Sequence, residues 1–342
     1  DRDQDLNNSY EASQKVIAAY AMIDMPITNE LRTIVGARLE TSDIEVKNKV
    51  EDTTSNLYKH GQIDEADILP SLSLIYSLNK NMNIRLAGSQ TIARPKFREI
   101  GTNYYDYKTG VFITGNPDLK RSQITNLDLR WEWFFKPGEK VSVSGFYKFF
   151  KNPIEQKLSV TTQNYEIKYV NTDEAQLYGL EVEFRKKLEF LYLLRHFTFG
   201  SNFTWVYSSV ELTEIEKQDT DKDTREMLGQ APWILNTFLS YRYDEIGLES
   251  NLGFNVTGEE LILITKGKTP YVYAQPQPML NFNISKGLGK DKQFTVELGV
   301  NNILDSEYRA VHHYTKPVEE DLDYLRYNFG RTYKLGIKYQ IN

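Results

Sequence analysis

In NLDLRWEWFFKPGEKVSVSGFYKFF, Asn126 to Phe150, two runs of alternating residues flank a tight turn. Side chains alternate across a strand with period two. Its first half therefore puts Leu127, Leu129, Trp131 and Trp133 on one face and Asn126, Asp128, Arg130 and Glu132 on the other. A turn at Pro137 and Gly138 then sends the chain back along a second strand. A half-buried strand of a soluble sheet carries a mixed outer face. Here one face ends in two indoles while the other holds an amide and three charges, so each face meets its own solvent.

The same split recurs along the chain. Leu31, Thr33, Val35, Ala37 and Leu39 oppose Arg32, Gly36, Arg38 and Glu40, with Ile34 as an exception. Tyr178, Leu180, Val182 and Phe184 oppose Gly179, Glu181, Glu183 and Arg185, although Gln176 and Leu177 reverse the rule at the strand's entrance. Phe197, Phe199, Phe203, Trp205 and Tyr207 face away from Thr198, Gly200, Asn202 and Thr204, and the last strand sets Tyr333, Leu335, Ile337, Tyr339 and Ile341 against Lys334, Gly336, Lys338 and Gln340. About thirteen such strands are legible, each long enough for the roughly 9 to 11 tilted residues that cross a bilayer.

Short turns (PITNE, NKNM, KPGE, YDEIG, KGLGKDK) alternate with long polar segments near Ile44–Asp67, Arg94–Arg121, Lys151–Tyr165, Glu211–Gln230, Gly258–Pro270 and Leu304–Arg326. One end of the sheet thus has tight hairpins and the other large loops, the asymmetry of an outer-membrane barrel. A soluble sandwich or propeller, the competing architecture, has no reason for it. The expected fold is an all-β, antiparallel transmembrane β-barrel. Leu127, Leu129, Trp131 and Trp133 face lipid, and Asn126, Asp128, Arg130, Glu132, Glu181, Glu183 and Arg185 face the lumen. In the strands quoted, the apolar face carries no Lys or Arg, each of which would cost about 2 to 4 kcal/mol near the midplane.

Composition agrees. A formal charge of −6 over 342 residues supplies no basic stripe for nucleic acid. There is no cysteine, hence no disulfide, thiolate metal site or catalytic thiol. A mean hydropathy of −0.52 and the lack of any apolar run near 20 residues exclude a helical membrane protein, whereas alternating barrel strands escape that test. Aromatic residues make up 13%, with 23 Tyr against 4 His, which favours strands and interfacial girdles. The opening DRDQDLNNSY has no signal-peptide character, so a mature or truncated start is expected.

Several stretches resemble the C-terminal barrel of TonB-dependent outer-membrane receptors, most nearly the large-loop type of Bacteroidetes: AGSQTIARPKFREI, GNPDLKRSQITNLDLRWEWFFKPGEKVSVSGFYKFFKNPIE, YVNTDEAQLYGLEVEFRKKL, VNNILDSEYR and the closing FGRTYKLGIKYQIN. They occur in the family's order over nearly the whole chain. Family barrels have about 22 strands around a plug, so the resemblance implies that residues 1–342 form the C-terminal portion of a barrel, without the plug and early strands. It also implies that strands near Val16–Met25 and Thr332–Ile341 pair with segments from an N-terminal part or another chain, because unpaired backbone groups in lipid are costly. Asn342 stands where the family typically ends in an aromatic residue.

By the same resemblance the protein is a receptor in the outer membrane of a Gram-negative bacterium, importing a ligand with energy from TonB through the plug. Its neighbours would be outer-membrane lipid, lipopolysaccharide and a surface lipoprotein. Ligand capture would fall to external loops, with Arg94, Arg98, Tyr104, Tyr105, Tyr107, Asn116, Tyr271, Tyr273 and Tyr314 as candidates by position. Tyrosine suits sugars, siderophores and peptides alike, so the substrate class stays open. A scaffolding barrel of a surface complex is the alternative function.

Other constellations are weaker. Asp219, Asp221 and Asp223 alternate as in a calcium loop but lack its glycine and closing glutamate, so a solvated loop is expected. His312 and His313 are adjacent and point apart in an extended segment, so at most one could ligate a metal. The run Glu319–Asp323 reads as loop solvation. Neither a cofactor nor a metal site is expected, and no nucleophile, base and orienter can be assembled, so the expectation is a non-enzyme.

Overall fold

A computed structural model describes residues 9–48, 60–101, 103–106, 111–160, 165–220, 222–265, 267, 269–289, 292–315 and 319–340. In chain order the strands are β1 (Tyr10–Pro26), β2 (Leu31–Asn48), β3 (Gly61–Asn79), β4 (Met82–Ala93), β5 (Asn103–Asp106), β6 (Val111–Thr114), β7 (Ser122–Lys136), β8 (Glu139–Lys151), β9 (Ile154–Val160), β10 (Tyr165–Asn171) and β11 (Glu174–Lys187). They continue with β12 (Phe197–Glu211), β13 (Thr224–Arg225), β14 (Trp233–Tyr243), β15 (Leu248–Thr257), β16 (Glu260–Leu263), β17 (Val272–Ala274), β18 (Met279–Leu288), β19 (Phe294–Asn301), β20 (Glu307–Tyr314), β21 (Glu320–Asn328) and β22 (Thr332–Tyr339). Two short helices, α1 (Phe97–Ile100) and α2 (Glu214–Thr220), lie in long connections. Among the described residues no helix is long and apolar enough to cross a membrane.

Thirteen long strands form one antiparallel wall in the order β1-β2-β3-β4-β7-β8-β11-β12-β14-β15-β18-β19-β22. Each pairs with its neighbour along the chain, skipping only strands of the long connections. Register keeps the two faces distinct across the wall: Leu129 opposes Leu86 and Gly145, Trp131 opposes Ile84 and Val143, and Leu180 opposes Gly145 and Trp205. Leu127, Leu129 and Trp133 are exposed on that face and Trp131 is half-buried. The path runs from neighbour to neighbour along the chain, the up-and-down order of a barrel wall and not the Greek-key order of a soluble sandwich.

The opposite face carries a ladder of charges. Arg130 donates to Glu132 at 2.9 Å and Glu183 at 3.0 Å, Arg85 meets Glu132 at 2.8 Å, Lys140 meets Glu183 at 2.9 Å, and Asn202 donates to Glu181 at 2.7 Å. Two aromatic rings join this face, each laid over a glycine: Phe146 over Gly179 and Phe238 over Gly200. Arg185 stands 5.7 Å from the centre of the Phe238 ring.

At the long-connection rim the pattern inverts. The even residues of β2 that are polar lower down, Arg38 and Glu40, give way to buried Ile44 and Val46, which pack with Ile63 and Ile100. The described ends of Ile44–Asp67 are therefore not polar loop. They pair as Ile44↔Ile63 and Val46↔Gly61, extending the β2–β3 hairpin above the wall. At the entrance of β11, where Gln176 and Leu177 reverse the rule, Gln176 is exposed, and Leu177 is likewise buried with Ala175 beside Val210 and Val206 of β12. Apolar residues turn inward here, the pattern expected where an outer face passes from hydrocarbon to water.

The remaining long segments are also more structured than loops. β5-β6-β10-β9 form one small sheet and β16-β17-β20-β21 another. A parallel bridge between Lys157 and Ile264, with Leu158 N–H donating to Ile264 O at 2.8 Å, joins β9 to the end of β16. One apolar core serves both sheets: Ile113, Leu158, Ile167, Leu263, Val272 and Ala310. Two of these connections end later than the polar segments suggest, since β10 reaches Asn171 and the connection after β15 runs on to Met279.

Candidate ligand-binding site

Three separate segments meet in the outer layer through long-range pairing. The connection between β12 and β14 supplies Arg225 and Glu226, β9 supplies Glu155, and the second small sheet supplies Tyr273 and His313, with Glu259 and Tyr271 just before its strands β16 and β17. Arg225 and Glu155, with side chains 2% and 3% exposed, make a bidentate pair, with Nη1 to Oε1 at 3.0 Å and Nη2 to Oε2 at 2.5 Å. Thr172 Oγ1 donates to Glu155 at 2.6 Å. Burial pushes the Glu155 carboxyl up, but the Arg225 bonds outweigh it and hold the group below the ordinary carboxylate range. Lys157, two residues along β9, binds Glu216 of α2 at 2.7 Å. Burial raises Glu216, yet its bonds to Lys157 and Thr213 bring it down to about 2.

Around this brace lie two cavities of 360 Å³ and 510 Å³ that share Arg225, Glu226, Glu259 and Tyr273 in their walls. Both sizes fall within the range of small-molecule pockets. The larger also has Tyr271, Lys222 and His313 on its wall. Tyr273 donates to Glu226, and burial followed by the Glu226 carboxylate raises its pKa. The Tyr271 hydroxyl is buried without a partner among the described residues, and burial pushes it up to about 12. Two neutral phenols, two carboxylates and a histidine thus border one space, a mixture suited to rigid apolar contact with directional hydrogen bonds.

The other residues singled out from sequence are placed differently. Arg94 spends its guanidinium on Glu40, tying the connection after β4 to β2. Asn116 donates to Tyr169 O at 3.0 Å and accepts from Asp118 N–H at 3.0 Å, pinning its own segment. Arg98 lies in α1 and Tyr104 and Tyr105 in β5; Tyr107 and the side chains of Tyr104 and Tyr105 fall outside the described residues. Tyr314 sits at the end of β20, its ring 6.1 Å from that of His312. Tyr271 and Tyr273 are thus the two candidates that the fold brings together.

His312 and His313 do point apart. His312 Nδ1 contacts Pro270 O at 2.7 Å, while His313 contacts Asp321 at 2.6 Å through Nδ1 and Glu259 at 2.7 Å through Nε2. Among the described residues no group of three His, Asp or Glu side chains could hold a metal ion. The run Glu319–Asp323 does more than solvate a loop: most of it lies in β21, where Asp321 binds His313 and Asp323 binds Arg309 at 2.6 Å. Asp221 and the Asp219 side chain, on which the calcium pattern rests, lie outside the described residues. Sequence reasoning missed Arg225, Glu226 and Glu259, whose only local signal is charge in a long polar segment.

A family model for "TonB dependent receptor-like, beta-barrel" matches residues 1–303. No curated protein matches the chain. Among solved structures, the ferric enterobactin receptor PfeA of Pseudomonas aeruginosa aligns with a TM-score of 0.59 at 13% identity, covering 96% of this chain and 54% of its own. The copper transporter OprC aligns with a TM-score of 0.67 at 11% identity, covering 96% and 48%. The siderophore receptor PiuA of Acinetobacter baumannii gives 0.67 at 12%, covering 96% and 44%. At these identities the likeness establishes the fold, and the chain spans about half the length of those structures. Barrels of this family are receptors and transporters of the Gram-negative outer membrane, which is where this protein resides. From its wall of thirteen strands and a family match over residues 1–303, the chain belongs to the TonB-dependent receptor β-barrel family.

Proposed function

We propose that this barrel binds a ligand in its outer layer and takes part in its import across the outer membrane, energised by TonB through a plug. The observation that carries this reading is the pair of cavities bordered by Tyr271, Tyr273, Glu226, Glu259 and His313, held in an ordered double sheet at the end of the wall where the large connections lie. Residues 1–342 act as one barrel unit. Leu127, Leu129, Trp131 and Trp133 contact hydrocarbon, and the ladder of Arg130, Glu132 and Glu183 borders the transport path. The edges of β1 and β22 pair with strands outside these residues, since an open edge in lipid leaves backbone groups unbonded. Lipopolysaccharide is the outer-leaflet partner.

The comparison structures are named for ferric enterobactin, a siderophore receptor and copper, so metal chelates are the first ligands to test. Cells carrying the receptor would be assayed for uptake of iron-labelled enterobactin, copper ions and an oligosaccharide, with and without TonB. The expected result is TonB-dependent uptake of one probe that falls at least tenfold in the Tyr271→Ala/Tyr273→Ala variant, about 1.4 kcal/mol of lost binding. Uptake that ignores TonB, or a double variant that matches the parent for every probe taken up, overturns the reading.

A further inference from the structure

The connection from β11 to β12, residues 188–196, differs from the other short turns. Those carry at most one exposed apolar side chain among polar or turn-forming residues: Ile27 beside Thr28, Asn29 and Glu30 after β1; Lys80 and Asn81 after β3; Pro137 and Gly138 after β7; Ile246 beside Asp244, Glu245 and Gly247 after β14. This one reads LEFLYLLRH. Its backbone is well tied: Leu188 N–H donates to Phe197 O at 2.9 Å, Leu191 N–H to Leu188 O at 3.0 Å and Leu194 N–H to Leu191 O at 2.8 Å, and a 3₁₀ turn spans Tyr192–Leu194. Yet Phe190 is 70% exposed, Tyr192 77% and Leu193 88%, with Leu191 and Leu194 exposed as well. Five consecutive ordered apolar side chains in water are unfavourable, and a contiguous patch of this kind marks a surface that is covered.

Two observations identify the cover. The first is charge. Residues 186–196 hold Lys186, Lys187 and Arg195 against Glu189, three cations and one carboxylate, net +2, in a chain whose formal charge is −6. Among the described residues neither Lys187 nor Arg195 has a carboxylate within ion-pair distance, and Arg195 instead lies 5.1 Å from the Tyr192 ring centre. The second is continuity. The patch prolongs an aromatic band on the apolar face at the same rim, where the Phe184 and Phe199 rings are 6.3 Å apart and those of Phe197 and Tyr241 are 4.9 Å apart. Aromatic rings gather at membrane-water boundaries, and cations beside apolar residues favour anionic lipid.

We infer that this turn is a membrane anchor: Phe190, Leu191, Tyr192, Leu193 and Leu194 insert into the phospholipid leaflet at the short-turn rim, while Lys187 and Arg195 engage its anionic headgroups. The anchor would fix the height and tilt of the wall at one point of its circumference, beside the Arg130–Glu183 ladder.

The 342 residues contain no cysteine, so Leu193→Cys puts one labelled thiol into them, and any cysteine elsewhere in the receptor would be replaced by serine before labelling. The protein would be reconstituted in vesicles of mixed phosphatidylethanolamine and phosphatidylglycerol, and collision of the label with oxygen and with a water-soluble nickel chelate measured by electron spin resonance. Label at Leu193, and at Tyr192 as a second site, should favour oxygen over nickel. Label at Asn29→Cys, on a polar turn of the same rim, should show the reverse. In Lys187→Gln/Arg195→Gln carrying the Leu193 label, the preference for oxygen should shrink in these vesicles and match the parent in neutral phosphatidylcholine. A Leu193 label as open to nickel as that at Asn29 overturns the proposal, because the turn then sits in water. Exclusion of both reagents overturns it too, because protein rather than lipid then covers the patch.

Discussion

His313 holds two carboxylates at once, Asp321 through Nδ1 and Glu259 through Nε2, and both ring nitrogens can donate only in the imidazolium form. Burial lowers its pKa, but the two acceptors outweigh burial and leave it raised above the usual 6.5. A raised folded-state pKa stabilises fully below the unfolded value and is lost as pH rises through the folded value. Amide protection of β20 and β21, corrected for intrinsic exchange, should therefore be greater at about pH 6 than at about pH 9. His313→Gln should remove the difference, and protection that grows with pH would contradict the assignment. Arg225 and Glu155 obey a different rule, since both are almost wholly buried. Arg225→Leu leaves a charged carboxylate without its partner and should destabilise the outer layer by about 3 to 5 kcal/mol, while Arg225→Leu/Glu155→Met should regain most of that. Hydrogen exchange of β9 and β10 reads both variants; a double variant as unstable as the single one would place the cost in packing instead of charge.

At the scale of elements, close packing of the wall depends on glycine at particular places, Gly179 and Gly200 among them. A Cβ on Gly179 of β11 would lie 2.2 Å from the Trp205 carbonyl oxygen and 2.6 Å from the Phe146 ring, whereas one on Gly253 of β15 would meet nothing within 4 Å. Gly179→Ala should therefore cost about 1 to 3 kcal/mol by overpacking, read as a lower denaturant midpoint, and Gly253→Ala should be close to neutral. Equal effects would show that strand propensity rather than space decides. The wall strands were legible because each meets two solvents, so alternation is written into every one of them, as at Leu127 to Trp133. Leu177 and Ile44 broke the rule for a physical reason that alternation alone does not supply: above the rim the outer face meets water. The short strands of the outer layer were illegible for a related cause. β6, with Val111, Ile113 and Thr114 buried, has only four residues and packs into a core on tertiary contacts, so it carries no long period. Tyr271 and Tyr273 could be picked out by type and position, but Glu155 and Arg225 are 70 residues apart and nothing local announces their pairing.

The molecule as a whole joins two regimes of stabilisation. Its outer layer has an ordinary core, formed by residues such as Leu158, Leu263 and Val272, whereas under the function proposed above hydrocarbon takes the place of a second sheet on the apolar side of the wall. The cost of a charge on the wall must then depend on face and depth, a dependence no soluble protein core shows. Leu129, 54% exposed near the middle of β7, tests it: Leu129→Arg should cost about 2 to 4 kcal/mol, and Trp133→Arg, nearer the short turn, about 0 to 1 kcal/mol from the charge itself. Asp128→Arg, one residue from Leu129 but on the charged face, should stay within about 0.5 kcal/mol. Guanidinium unfolding of the vesicle-embedded protein measures all three. If Leu129→Arg and Asp128→Arg destabilise equally, the two faces share one environment and the apolar face does not contact lipid.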